Sequence, residues 1–369
     1  MIPVARPSTG DEEMLRIKKV LDSGWLGQGN EVKEFESRIG KITGAREVVA
    51  LNSGTSALTI ALEVTGIKSG DEVIVPSLTF CAGVQAIKAV GGNPVYCEVD
   101  SNTLNIDIDD VAKRITDRTK AIMPVHFCGQ ACDMDALFEL ATKNDLLIIE
   151  DAAHAFGSSY KGEMIGSFEK SITCFSFDPI KNITCGEGGA VATGSKDIAN
   201  RLRNMRMLGI DRDSWHRREN PSDWYYEVTA KGYRMHMSNI NAAIGLAQIE
   251  KFELFRERKR AVVEKYNSAF ENNPGLITIK WNIAESFPFA YIVRVKANLR
   301  DQLMLHLRQQ GIDSGINYIP NHLQPFLSGG ESLPVTEKLY GEIITLPLFA
   351  DISDSEVEQV ISSVLSFFK

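Results

Sequence analysis

The 369 residues predict an α/β protein: a large domain over 1–240 built on a mostly parallel mixed sheet, then a helix and a smaller C-terminal α/β domain over 241–369. Three observations carry this expectation. Short runs that are apolar almost throughout recur at 47–51, 72–75, 121–127 and 146–150, and strands buried on both faces are what a helix-covered parallel sheet needs. Segments with apolar residues three and four apart lie between them. Near residue 240 the pattern changes to a long amphipathic stretch, after which strand and helix signals alternate afresh.

The first run, 47–51, ends at Asn52-Ser53, polar residues able to cap a helix over 55–64 whose Leu58, Ala61 and Leu62 share a face. Run 72–75 stops at Pro76, which has no N–H to donate. Residues 94–99 alternate, 121–127 are continuously apolar, 146–150 read Leu-Leu-Ile-Ile-Glu before Asp151, and 172–177 form another buried run. Helices are expected near 83–91, 108–116 and 133–144. Ile240, Ala243, Ile244, Ala247 and Phe252 mark one long helix leading into the charged stretch 256–260, which reads as a solvated face. Beyond it come a strand over 289–295, a helix over 300–310 stopped by Gly311, and a strand over 315–319. A last helix opens on the capping box Ser353-x-x-Glu356. Residues 211–229, with Trp215, Trp224 and Tyr225, show no period; a loop that long is uncommon unless it serves a site or an interface.

Composition excludes several classes of function. Hydrophobic residues make up 44% and charged residues 24%, ordinary for a globular chain and unlike a disordered one. Lysine and arginine number 40 against 48 acids, a net charge of −8 with no basic stripe, which argues against nucleic-acid binding. Charges interrupt every apolar run before it is long enough to cross a bilayer. Pro3, Arg6, Asp11 and Glu12 stand where a signal peptide needs an apolar stretch, so a cytoplasmic location is expected. Cys128 and Cys132 have no second Cys or His pair at ligand spacing, so no metal is expected.

The chemistry gathers at the predicted strand ends. Asn52-Ser53-Gly54-Thr55-Ser56-Ala57 enters a helix with free N–H groups and hydroxyls, which suits either a phosphate or an ordinary cap by Ser53 or Thr55. Asp151 stands at the mouth of an apolar strand, followed by Ala152-Ala153-His154. Lys181 lies in 175–189, after a strand and before the glycine-rich turn Gly186-Glu187-Gly188-Gly189. Phosphate cradle, acid, lysine and a flat aromatic together meet the needs of pyridoxal 5'-phosphate: the lysine forms a Schiff base, and the acid keeps the ring nitrogen protonated.

These residues resemble a known family. Ser53-Gly54-Thr55-Ser56-Ala57-Leu58, Pro76-Ser77-Leu78-Thr79-Phe80, Glu150-Asp151-Ala152-Ala153-His154, and Ser176-Phe177 with Lys181-Asn182 and 186–189 are similar to the sugar aminotransferases of the DegT/DnrJ/EryC1/StrS group, fold type I pyridoxal phosphate enzymes. Ser23-Gly24-Trp25 and Leu346-Pro347-Leu348-Phe349 extend the likeness nearly end to end, and 175–189 is closest to the branch that aminates 4-keto nucleotide sugars. The resemblance implies a homodimer with shared active sites that moves an amino group from an amino acid, L-glutamate, to a keto-sugar on a nucleotide diphosphate, in amino-sugar, polysaccharide or lipopolysaccharide biosynthesis. It implies that Lys181 and Asp151 are catalytic, that Phe80 stacks on the cofactor ring, and that His154 stands near its phenolic oxygen. Gly54, Thr55, Ser56 and Ser176 would hold the phosphate, with Trp25 and His322 at the substrate.

One departure stands out. Where much of the family has Gly-Tyr-Asn-Tyr-Arg-Met, this chain reads Gly232-Tyr233-Arg234-Met235-His236-Met237. Arg234 replaces the asparagine that reaches the neighbouring subunit's phosphate. A sugar dehydratase of the same family is the nearest alternative, but those enzymes carry His where this chain has Lys181. A ligand-binding homologue without turnover is another, and the intact Lys181 and Asp151 argue against it.

Overall fold

The computed structural model describes residues 1–211 and 225–369. Its strands are β1 (Glu47–Leu51), β2 (Glu72–Pro76), β3 (Asn93–Cys97), β4 (Thr119–Ile122), β5 (Leu147–Asp151), β6 (Ser159–Tyr160), β7 (Glu163–Met164), β8 (Ser171–Ser176), β9 (Gly189–Thr193), β10 (Leu276–Thr278), β11 (Tyr291–Val295) and β12 (Ile343–Leu346). Seven of them form one sheet in the order β1-β9-β8-β5-β4-β2-β3. β9 pairs antiparallel with both neighbours, whereas β8, β5, β4, β2 and β3 pair in parallel. This is the mixed, mostly parallel sheet the apolar runs called for.

Side-chain alternation divides each strand between two cores. Val48 and Ala50 point to one, with Val32, Phe35 and Ile39 of α2 (Asn30–Thr43), which follows α1 (Asp11–Ser23). Val49 and Leu51 point to the other, with Leu58 and Leu62 of α3 (Gly54–Val64). On that face lie also α4 (Ala82–Ala89) and, after α5 (Ile108–Arg114) and α6 (Met134–Asn144), α7 (Lys196–Met205). Helices on both faces remove the strands from water, which is why these runs could be apolar throughout.

The expected single helix from residue 240 is two: α8 (Asn239–Glu250) and α9 (Phe252–Phe270). They part at Lys251, whose N–H closes back on the Gln248 and Ile249 carbonyls and whose ammonium pairs with Glu13. Past α9, β10, β11 and β12 make a second, antiparallel sheet. Against it pack α9, α10 (Ala297–Gln309) and, after α11 (Pro334–Glu342), α12 (Asp354–Phe367), through Val262, Tyr266, Leu303, Leu307, Val357 and Val360. Ser353 and Glu356 make the expected capping box on α12. Ile2 belongs to this core too: its N–H donates to the Gly311 carbonyl at 2.8 Å, and its carbonyl accepts from Asp313 at 2.9 Å.

Three expectations need correction. β4 ends at Ile122 rather than running to 127, because Pro124 has no N–H to continue the ladder and a 3-10 turn occupies Phe127–Gly129. Residues 315–319 are not a strand: only Gly315 pairs, with Thr345, and the chain then turns so that Tyr318 reaches His154. The strand expected over 289–295 starts at Tyr291. At the unpatterned region, Ile210 pairs with Val228, while Trp215 and Trp224 lie outside the described residues.

Gly245 lets α8 approach α2: a Cβ there would stand 2.5 Å from the Phe35 ring and from Cys185 Sγ. Gly245→Ala should gain about 1 kcal/mol of helix propensity. Forcing a methyl into that contact costs about 1–3 kcal/mol. Net destabilisation is expected, read as a lower urea midpoint; a midpoint at or above wild type would show that the two helices can separate freely.

Candidate active site

Strand order brings the site together. Gly189 opens β9 between Leu51 of β1 and Ser176 of β8, so the turns leaving β1 and β8 share one sheet edge. Approach there is as close as backbone allows. A Cβ on Gly189 would lie 2.2 Å from the Ser53 carbonyl oxygen, and one on Gly54 would lie 2.7 Å from Ser176 Cβ. β5 ends on the same edge with Asp151. The result is a cavity of about 260 Å³ lined by Gly54, Thr55, Phe80, Asp151, Lys181 and Tyr318, among others.

Ser53 is the α3 cap: its Oγ accepts the Ser56 N–H at 3.0 Å. The capping alternative weighed for this turn is therefore realised, but by Ser53, and it leaves the N–H groups of Gly54 and Thr55 at the positive end of α3. Ser56 differs from expectation. Its hydroxyl turns back to Asn52 Oδ1 at 2.7 Å, and it does not line the cavity; Ser176, at the end of β8, does.

Asp151 is buried, and Oδ1 accepts the Ala153 N–H at 3.1 Å. Burial pushes its carboxyl above the usual range, opposed by the nearby Lys181 and His126. Lys181 places Nζ 4.4 Å from the centroid of the Phe289 ring. Burial lowers its amine below the ordinary lysine range, with Asp151 and Asp178 pulling the other way. Each group is thus held nearer neutrality than in water. His154 stacks on Phe289, centroids 4.1 Å apart and planes 9° from parallel. Its Nε2 lies 3.0 Å from Tyr318 Oη, and its buried Nδ1 has no hydrogen-bond partner among the described residues. Burial, then the charge of Lys181, holds it well below the usual imidazole range, so it is neutral.

Phe80 lines the cavity with its ring 56% exposed, tilted against Tyr318 at 5.7 Å. Three other expected residues lie outside the cavity. Arg234 is exposed, on a segment whose Met235 carbonyl accepts the Asn52 N–H at 2.8 Å. Trp25 donates Nε1–H to the Gln28 carbonyl and accepts from Asn239 through its own carbonyl, beside the start of α8. His322 is neither at the surface nor in the cavity. It is 2% exposed, its Nδ1 2.6 Å from Ser77 Oγ and its Nε2 3.3 Å from Glu337. With Asn321, whose Nδ2 donates to the carbonyls of Ser77 and Thr79, it braces the turn that presents Phe80.

Tyr318 and Phe289 escaped the sequence reading. Tyr318 reads as part of the strand expected over 315–319, and Phe289 as the first residue of the one expected over 289–295. Neither carries a local signal, since each reaches the site by tertiary packing.

A mostly parallel α/β sheet with a lysine, a buried acid and a helix N-terminus converging at one edge has the architecture of the fold type I aminotransferases. The family model for the DegT/DnrJ/EryC1/StrS aminotransferase family matches residues 7–365, and the chain belongs to that family. Spore coat polysaccharide biosynthesis protein SpsC of Bacillus subtilis is 36% identical over all of this chain and 97% of its own length. The aminotransferase TlmJ of Streptoalloteichus hindustanus superposes with a TM-score of 0.93 at 33% identity, over 100% of this chain and 98% of its own. The sugar aminotransferase CalS13 of Micromonospora echinospora gives 0.92 at 28% identity, over 99% and 100%.

Aminotransferases of this family depend on pyridoxal phosphate, and the cavity suits it. The glycine-shaped approach of Gly54 to Ser176 leaves donors without a bulky wall, the orphaned His154 Nδ1 is a polar atom awaiting a partner, and Asp151 and Lys181 supply acid and amine. Among the described residues no helix is long and apolar enough to cross a membrane.

The raised carboxyl of Asp151 yields a stability prediction for the cofactor-free protein. A carboxyl whose folded pKa lies above its unfolded value loses stabilisation as pH rises through the folded value. At pH 7 the buried charge therefore opposes folding, and Asp151→Asn should melt higher than wild type there. The advantage should shrink as pH falls and be lost below the ordinary aspartate value of about 3.9, where the folded and unfolded carboxyls are both protonated. A lower melting point at pH 7 would make Asp151 a structural anchor.

Proposed function

We propose that this chain transfers an amino group from an amino acid, L-glutamate, to the carbonyl carbon of a keto-sugar carried on a nucleotide diphosphate, in amino-sugar and polysaccharide biosynthesis. The observation that carries the reading is the enclosure of Lys181 and Asp151 in one cavity beside the start of α3. The sugar chemistry in the names of SpsC and CalS13 supports the acceptor class.

The roles proposed for the residues around the cavity are these. Gly54 and Thr55 N–H groups, with the Ser176 hydroxyl, would hold the phosphate dianion, as a helix N-terminus does. Asp151 would keep a proton on the ring nitrogen; its elevated pKa reports the cost of burying that charge alone, which a cationic ring nitrogen offsets. Pyridoxal phosphate, once bound, supplies the electron sink that stabilises negative charge at the carbon losing its proton. Lys181, favoured as a neutral amine by burial, would carry that proton between the substrate carbon and the cofactor carbon on the other side of the nitrogen. His154 and Tyr318, hydrogen-bonded to one another, would present a polar edge to the phenolic oxygen. Phe80 is more than half exposed although it lines the cavity, and Arg234 is exposed outside it, which supports a second subunit completing the site.

Two experiments test this reading. Borohydride reduction of the cofactor-loaded protein should attach the pyridoxyl mass to Lys181, and Lys181→Ala should bind cofactor yet exchange no amino groups. Asp151→Asn should slow the half-reaction with glutamate by orders of magnitude. Label on another residue, or an active Lys181→Ala protein, would end the assignment.

Arg234 tests the shared site. A charge-assisted contact to the partner's phosphate is worth about 1.5–3 kcal/mol, so Arg234→Ala should weaken cofactor binding roughly ten- to a hundred-fold. Mixing inactive Lys181→Ala chains with Arg234→Ala chains should restore activity, because one site of each mixed dimer keeps both residues. Unchanged cofactor affinity with a raised KM for the sugar would move Arg234 to the substrate.

A further inference from the structure

The charged stretch 256–260 was expected to face solvent, and Lys259 does not. It is 4% exposed, on the inner face of α9. Its Nζ donates to Asn182 Oδ1 at 3.1 Å and stands 5.9 Å from the Phe287 ring centroid. Asn182 uses its other group too, donating Nδ2–H to the Phe287 carbonyl at 2.9 Å. The amide is thereby held in one orientation between a lysine and a carbonyl. Asn182 is the residue after Lys181, and Phe287 lies two before Phe289, whose ring underlies both Lys181 Nζ and His154. One buried chain of hydrogen bonds therefore grips the peptide carrying Lys181 and the segment carrying its aromatic platform.

The charges around Lys259 are specific. On its own helix, Arg256 pairs with Glu253, Arg258 pairs with Asp354, and Arg260 donates to the Ser286 and Ala284 carbonyls, all turned away. Segment 286–289 (Ser-Phe-Pro-Phe) brings no titratable group. From the segment after β8 the charge that acts on Lys259 is Lys181, with Asp151 and Asp178 acting on Lys181. No ion pair joins Lys259 to a carboxylate among the described residues, and burial first, then Lys181, brings its amine down to about 7.

We propose that Lys259 is a positioning residue for Lys181: through Asn182 it fixes the peptide that carries Lys181 against the segment that carries Phe289. This rests on Lys181 being the amine that engages the cofactor, and the test keeps the two claims apart. Lys181 must be neutral to react with a carbonyl, so anything that protonates it slows capture of pyridoxal phosphate.

The experiment measures the rate at which cofactor-depleted protein captures pyridoxal phosphate, by stopped-flow absorbance across pH 6–10, for wild type, Lys259→Met, Lys259→Arg and Asn182→Ala. Lys259→Met removes the donor, so it should lower the plateau rate about three- to tenfold, the worth of one hydrogen bond, with little change of midpoint. Asn182→Ala breaks the same tether, so its plateau should fall alike, and the Lys259→Met/Asn182→Ala double variant should be no slower than the slower single variant. Lys259→Arg keeps a cation and a donor, so its plateau should stay nearer wild type. A wild-type plateau in Lys259→Met, losses that multiply in the double variant, or a Lys259→Arg plateau as low as that of Lys259→Met overturns the proposal. Borohydride trapping and peptide mapping of each variant test the other claim: label on a residue other than Lys181 sinks the functional reading itself.

Discussion

At Gly189 three strands end within reach of one another, and a side chain is excluded because its Cβ would meet the Ser53 carbonyl. Reversing the direction of β9 makes this possible. A sheet parallel throughout would put the start of β9 at the opposite edge, and the lysine-bearing segment between β8 and β9 would have to cross the sheet. With β9 reversed, the turn after β1 and the segment after β8 meet on the edge where β5 delivers Asp151. β1, β5 and β8 run in one direction and so end on one edge, and the antiparallel β9 keeps the lysine-bearing segment there.

Assembling those groups removes them from water. Asp151 is driven toward its acid form, while Lys181, His154 and Lys259 are driven toward their neutral bases. Such an arrangement works against stability when empty and favours a ligand that brings complementary charges. The surroundings hold the groups in place by means that carry little charge: an N–H to Asp151, a stacked Phe289 beneath His154, an amide between Lys259 and a carbonyl. Neutral hydrogen bonds and ring faces constrain position without neutralising what they position.

Much of this was legible in the sequence. Fully apolar runs announced the parallel strands because burial on both faces leaves no other composition workable, and Asp151 and Lys181 were visible because each stands at the end of such a run. The Ser353 capping box was visible because its logic is local. What could not be read depends on distant partners. Tyr318 reaches His154 across 164 residues of chain. Lys259 shares a charged stretch with three arginines, and only the packing of α9 on the segment after Lys181 turns it inward. His322 looked available because histidines often are, yet Ser77 and Glu337 claim both its nitrogens. The break at Lys251 escaped because the apolar period on either side of it is uninterrupted.

The strand-like contact of the first residues has a bearing on how the chain is made. Ile2 bonds to Gly311 and Asp313, and the Val4 carbonyl accepts from Leu348 at 3.0 Å. Those partners leave the ribosome more than three hundred residues later, so the opening segment cannot settle during most of synthesis. The sheet around Asp151 and Lys181 can form while the first five residues are still unplaced. The second core closes only once residues 311–348 are made, and its closure brings segments of the polypeptide made more than three hundred residues apart into register.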